Sequence, residues 1–289
     1  MNATFKRNLT GWLQILPLVV VLIPFFVAPI IGVAVTSVLE TDGFGGILPN
    51  LTFENYRGVF TASLTLNLYM ETIKFTVLTW FFSLLIGFFV AYFLAFHVKN
   101  QLLAIGLFLL CTVPFWTSNI IRMISWIPLL GKEGLINSAL IGAGIVDQPI
   151  EALLFSSFAV VVAYVHQLTI FMVVPIFNSM ARIDKRVVEA ALDAGASRFD
   201  ILRLIIVPMS KSGIALGSIF VVSIVMGDFF VVKVMSGGSS ASVVGAFYED
   251  ISVLQYPPAA ASAIVLTTIL MVVISLVLRS VDIRKEIAR

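Results

Sequence analysis

The sequence predicts an all-α polytopic membrane protein of about six transmembrane helices, and three observations carry that reading. Hydrophobic residues make up 60% of the 289-residue chain and charged residues only 12%. A soluble domain is about one quarter charged, because a water-facing surface needs that polarity. Apolar runs reach the roughly 20 residues that a helix needs to cross hydrocarbon. The basic residues, finally, gather in alternate loops, as the positive-inside rule requires. A soluble protein with buried core helices would need shorter apolar runs and more charge.

The elements follow in order. Residues 1–12 form a polar N-terminus with Lys6 and Arg7. The apolar stretch after it is too long for a cleavable signal, so it reads as an uncleaved first span, residues 13–38. Pro17, Pro24 and Pro29 predict a bent helix, tolerated where neighbours satisfy the freed carbonyls. Within the polar segment 40–67, Thr52-Phe53-Glu54-Asn55-Tyr56 reads as a capped, short amphipathic helix at the interface. Spans two and three are residues 72–96 and 102–121. Gly131, Gly134, Gly142 and Gly144 make 126–148 a loop with one short helix. Spans four, five and six are residues 153–177, 213–235 and 259–278, with a cytoplasmic loop at 181–212 and a tail at 281–289. No internal repeat or linker divides the chain, so residues 13–280 read as one membrane domain.

Orientation comes from the same charges. With the N-terminus inside, the inner segments hold thirteen of the 18 basic residues, including Lys99, six in loop 181–212 and four at the tail. Both termini are therefore expected in the cytoplasm. The net charge of +2 and the absence of a basic run give no reason to expect nucleic acid as a partner. Cys111, the single cysteine, excludes an intrachain disulfide and reads as a packing residue.

Loop 181–212 is the most patterned polar segment. Arg186, Glu189 and Asp193 recur at helical spacing on one face, where Arg186 and Glu189 could pair. Ala190, Ala191 and Ala194 give that helix a small-residue surface, and Gly195 stands where a C-terminal glycine belongs. Ser197 followed by Asp200 is a capping-box pattern. Ile201, Leu204 and Ile205 form the apolar stripe of a second helix that Pro208 is expected to stop. The loop therefore reads as a helix-turn-helix, polar enough to face water and patterned enough to dock.

The run Glu189-Ala190-Ala191, three residues, Gly195, nine residues, then Ile205-Ile206-Val207-Pro208 resembles the EAA loop of ABC-importer permeases, departing only at Val207, where the family has Leu. The resemblance implies a type I importer permease fold. It also implies coupling helices, carried by Glu189, Ala190, Ala191, Gly195, Ser197, Ile205 and Pro208, that seat in a separate ATP-binding subunit. The chain carries no G-x-x-x-x-G-K-[ST] phosphate loop; Gly131-Lys132 is followed by Glu133 and lacks the upstream glycine. No metal-ligand or nucleophile cluster is legible either, with His97 and His166 isolated. ATP and Mg are accordingly expected on partner chains, and no cofactor and no metal on this one.

A second resemblance narrows the subclass. Pro114-Phe115-Trp116-Thr117-Ser118, Arg122, Trp126, Leu130 to Ser138, the Thr52–Tyr56 run, and Gly227-Asp228-Phe229 followed by Gly237-Gly238 are similar to the first permease of spermidine/putrescine-type importers. The match is poor only around 67–74. It implies a polyamine as solute, a second permease that is not identical, two ATP-binding subunits and an extracytoplasmic solute-binding protein. Opine, amino-acid, phosphonate, thiamine or ferric-ion importers share the architecture and stay open, as does a homodimer. A receptor or scaffold would have no use for a groove-docking helix pair. A secondary transporter is disfavoured by that loop and by the lack of an inverted repeat.

Charges within spans cost about 2.5–3.5 kcal/mol at mid-helix and so mark functional candidates. Glu71 can pair with Lys74 or line the solute path. Asp228 lies deep in span five, too far around the helix from Lys233 for an ideal pair, and either lines the pore or bonds another helix. Trp116, Asn119 and Arg122 follow span three as gate-lining or interfacial residues. His166 and Gln167 in span four read as interhelical hydrogen-bonding groups. Acids outnumber bases in the outer segments, which would suit a polyamine, although the positive-inside rule alone depletes bases there.

Overall fold

The structure is a computed structural model and describes residues 14–98 and 100–280. Lys6, Arg7, Lys99, the 1–12 segment and the 281–289 tail lie outside the described residues. Among the described residues, four helices are long and apolar enough to cross a membrane: α1 (Gln14–Thr36), α3 (Ser63–His97), α8 (Ser157–Met180) and α14 (Tyr256–Arg279). Two bent pairs bring the number to six if each is one span. One joins Leu102–Trp116 to Asn119–Gly142 at 94°; the other joins α10 (Arg198–Met209) to α11 (Lys211–Gly227) at 66°.

The chain divides into two compact units, Met1–Leu66 with Ala246–Thr267, and Asn67–Gly245 with Thr268–Arg289. The boundaries fall inside helices, in keeping with a sequence that has no linker.

In the first unit, α1 carries a π turn at Ile23–Val27 where Pro24 removes a helical donor, and none of its residues is buried. The polar segment after it holds more order than a lone interfacial helix. It forms an antiparallel hairpin of β1 (Leu39–Thr41) and β2 (Ile47–Leu51). Asp42 closes its turn, its Oδ1 accepting from Phe44 N and Gly46 N, each at 2.8 Å. Helix α2 (Glu54–Thr61) follows, with Thr52 Oγ1 accepting from Glu54 N at 3.1 Å. Asn55 Nδ2 donates to the Ser37 and Leu39 carbonyls at 3.0 and 2.9 Å, and the Ser37 and Tyr56 hydroxyls bond at 2.7 Å. The Thr52–Tyr56 run thus ties α2 to the end of α1.

The second unit is built on α8. Its buried residues, among them Tyr164, Met172 and Ile176, form the centre of the core with Phe75, Ile206 and Val225. Helices in lipid gain little from hiding apolar surface, so close approach through small residues holds them together. Gly87 of α3 and Gly217 of α11 both meet Met172 of α8, and Gly213 meets Ile176 and Ser179.

Three spans differ from the expected shape. The third, α4 (Gln101–Thr112), passes into a 3₁₀ turn at Val113–Trp116 and then breaks at extended Thr117 and Ser118; Pro114 ends it earlier than residue 121. The glycine-rich segment after it is more helical than a loop, holding α5 (Asn119–Ile124), α6 (Ile127–Leu130) and α7 (Leu135–Gly142). The second span starts earlier, at Ser63. The fifth does not run to residue 235: α11 ends at Gly227, Asp228 is extended, and α12 (Phe230–Met235) begins anew. Helix α13 (Val243–Ser252) precedes α14.

Candidate functional site: a capped helix pair and intramembrane polar clusters

Loop 181–212 folds as two short helices, α9 (Lys185–Asp193) and α10. Asp184 caps α9, its carboxylate accepting from Arg186 N at 3.0 Å. The Arg186 guanidinium turns back onto the same carboxylate at 2.7 Å. Arg186 therefore pairs with Asp184 and not with Glu189, because the N-cap geometry already holds the carboxylate at the first turn. The hydrogen bonds from the Arg186 side chain and backbone hold the Asp184 carboxyl below its ordinary value.

Helix α9 ends in a Schellman motif. Ala196 N donates to Ala191 O and Gly195 N to Leu192 O, both at 2.9 Å, and Gly195 takes φ +85°, a left-handed conformation that only glycine adopts without strain. Ser197 then starts α10 with a full capping box: Asp200 N donates to Ser197 Oγ and Ser197 N to the Asp200 carboxylate, each at 3.2 Å.

The apolar stripe of α10 is not the expected one. A π turn at Leu202–Ile206 adds a residue to the turn, so Ile201 and Ile206, five apart, are the buried pair. Leu204 faces outward, 68% exposed, while Ile205 is half-buried. Pro208 does not stop the helix at once; it sits in the last turn and the break falls at buried Ser210. Glu189, Ala190, Gly195 and Ser197 are exposed, Ala191 is half-buried, and Leu192 and Phe199 add exposed apolar surface beside them.

The intramembrane candidates fall into separate clusters. Glu71 and Lys74 pair at 2.6 Å, with Lys74 Nζ also 3.5 Å from Ser157 Oγ and 5.0 Å from the Phe75 ring centroid. Asp228 joins two helices: Tyr164 of α8 donates its hydroxyl to Asp228 Oδ1 at 3.1 Å, and Val231 N donates to the same oxygen at 3.0 Å. The carboxylate thereby caps α12 and bridges to α8. Trp126 Nε1 donates to His166 Nδ1 at 3.1 Å, the interhelical bond expected of His166, and it leaves Nε2 as the protonated ring nitrogen. Arg122, 7% exposed, donates to Asn119 Oδ1. Trp116, in contrast, is 85% exposed.

Two functional partners escape a reading of the sequence. Tyr164 sits in an unbroken apolar run 64 residues from Asp228, with nothing local to mark it. Asn137, fully buried, ties the glycine-rich segment together: Nδ2 donates to Gly131 O at 3.0 Å and Ile150 O at 3.2 Å, and Ile150 N donates to Oδ1 at 2.8 Å. The Leu130–Ser138 string is therefore a loop clasp, closed outside by the Lys132–Glu151 pair at 2.7 Å.

Comparison with known proteins agrees with this architecture. The chain is 29% identical over 264 residues to the spermidine/putrescine transport system permease protein PotB of Escherichia coli, covering 91% of each chain. It is 32% identical over 225 residues to the protein of the same name from Haemophilus influenzae, covering 78% of this chain and 77% of that one. Its fold matches a chain of a crystallised bacterial ABC transporter involved in alginate import, with a TM-score of 0.71 at 15% identity over 96% of each. The family described as the binding-protein-dependent transport system inner membrane component matches residues 83–285, and the chain belongs to that family: it is a multi-pass transport subunit of the inner membrane.

Proposed function

We propose that this chain is one permease of an ATP-driven polyamine importer, forming half of the path for a spermidine- or putrescine-like solute. The observation that carries the coupling half of this reading is the α9–α10 pair. Two short helices, each capped by its own side chains, are joined through Gly195 at φ +85°. Their outward surface is apolar at Leu192, Phe199 and Leu204 and acidic at Glu189. A rigid element of that kind transmits a push from a docked partner instead of absorbing it. Glu189, Ala190, Ala191, Gly195, Ser197, Ile205 and Pro208 form or support the contact, and two ATP-binding subunits carry ATP and Mg. Both termini and this loop lie in the cytoplasm, which the distribution of basic residues supports.

The partner permease is a second, non-identical chain. Six helices seldom enclose a solute path, and α1 has no buried residue within its own chain. An extracytoplasmic binding protein delivers the solute. Asp228 is the residue assigned to the path: its carboxylate stands at a break in the fifth span, where an anion favours a cation. Glu71, Trp116, Asn119 and Arg122 are path or gate residues of lower rank, since Glu71 is paired with Lys74 and Trp116 points outward.

The deciding experiment is uptake of labelled spermidine and putrescine by the assembled transporter, with opines and amino acids as competitors. ATP-dependent uptake of a polyamine is expected. Uptake of an amino acid or opine with no polyamine response would overturn the substrate and leave the coupling role standing.

A further inference from the structure

Arg122, a path or gate candidate of lower rank, keeps a buried donor that the second unit does not fill. Arg122 is 7% exposed, and its side-chain bond to Asn119 Oδ1 engages a single Nη. Its Nε is buried with no hydrogen-bond partner among the described residues. The same side chain lines a cavity of about 310 Å³. The remaining wall is mostly apolar: Ile86 and Val90 from α3, Pro114, and Ile170 and Val173 from α8, with Cys111, His166 and Thr169 among them. Ile86 is 43% exposed, so the cavity opens at the surface of the helix bundle.

A largely buried guanidinium that lines an apolar hollow and keeps an unmet donor does not suit a polycation, which it would repel. It suits an oxyanion that carries an apolar chain. The guanidinium offers a fork of donors to such a group, and an unpaired buried donor is costly to leave unmet. Arg122 follows the end of the third span, beside Trp116, which is 85% exposed and is of a residue type that gathers at the headgroup level of a bilayer. We infer that this cavity is a binding site for an anionic phospholipid, its phosphate on Arg122 and an acyl chain against Ile86, Val90, Ile170 and Val173. The inference rests on the polyamine reading only in excluding the transported solute as the occupant of this cavity.

Cys111 supplies the test, since it lines the same cavity and is the chain's single cysteine. The assembled transporter in maltoside micelles is alkylated with a maleimide, and the Cys111 peptide is followed by mass spectrometry. Added phosphatidylglycerol should slow Cys111 alkylation several-fold. Inorganic phosphate and a short-chain carboxylate should leave the rate unchanged. Arg122→Gln should abolish the protection and Arg122→Lys should restore part of it. If Arg122→Gln does not assemble, Ile86→Trp, at the exposed side of the cavity, should lower the phosphatidylglycerol retained in native mass spectra. Equal rates with and without phosphatidylglycerol would overturn the site, as would protection that survives Arg122→Gln or retention unchanged in Ile86→Trp. Protection by inorganic phosphate alone would replace the lipid with a free anion.

Discussion

Gly213 of α11 lies against Ile176 of α8 so closely that a Cβ on it would stand 2.9 Å from the Ile176 Cα and 2.8 Å from the Ser179 Cβ. Both neighbours are backbone or first-carbon atoms of a central helix and cannot swing aside. Gly213→Ala is expected to destabilise the folded chain by about 1–3 kcal/mol, the usual cost of overpacking a tight contact. Gly142→Ala, in a helix with open space around it, is expected to be neutral or slightly stabilising. Thermal unfolding of the two variants in detergent, followed by size-exclusion fluorescence, checks the contrast; equal melting temperatures would sink it.

At Gly195 the space is open, so only the backbone is at stake. A β-branched residue at φ +85° costs about 1–2 kcal/mol, and Asn, which tolerates that region, costs less. Gly195→Val is expected to insert into the membrane normally yet lose most ATP-driven uptake, with Gly195→Asn intermediate. Wild-type uptake by Gly195→Val would count against the coupling role.

Asp228 can be divided into charge and acceptor. Asp228→Asn keeps an oxygen for Tyr164 and Val231 but removes the charge. If the carboxylate serves a cationic solute, uptake falls by about tenfold or more, a loss of about 1.4 kcal/mol, while thermal stability holds. Tyr164→Phe should do the reverse, lowering stability by about 1–3 kcal/mol through a charged partner left short of a donor. Normal uptake by Asp228→Asn would reduce Asp228 to a structural bridge.

The Asp184–Arg186 clasp sets a pH boundary for α9. Because the folded-state carboxyl is held below the ordinary aspartate value, its contribution is fully present above that value. It is lost as pH falls through the lower folded one. Amide exchange in α9, corrected for intrinsic rates, should therefore be flat through neutral and mildly acidic pH and rise only in strong acid. Asp184→Asn should remove that rise. A transition near neutrality would point to another group.

Much of this is open to reading from residue order alone. The helical class and the Gly195 and Ser197–Asp200 caps rest on local chemistry, where the deciding residues are neighbours in sequence. The Glu71–Lys74 pair is legible for the same reason. What escapes depends on distant or irregular geometry. Tyr164 is found only when α8 lies beside the break at Asp228, and the Asn137 clasp only when residue 150 returns. A regular helical period hides the outward turn of Leu204, because a π turn intervenes. Spacing alone pairs Arg186 with Glu189, although its N-cap neighbour Asp184 is nearer.

That π turn at Leu202–Ile206 also acts as a phase shifter. One residue of an α-helix turns the chain by about 100°, so the added residue sets the azimuth of all that follows, including Pro208 and the start of α11. Substitutions in the turn would leave that angle alone, whereas deleting one residue from it would rewind the helix and aim α11 in another direction. The length of this short segment, more than its composition, fixes the angle between the α9–α10 pair and the membrane span that follows it.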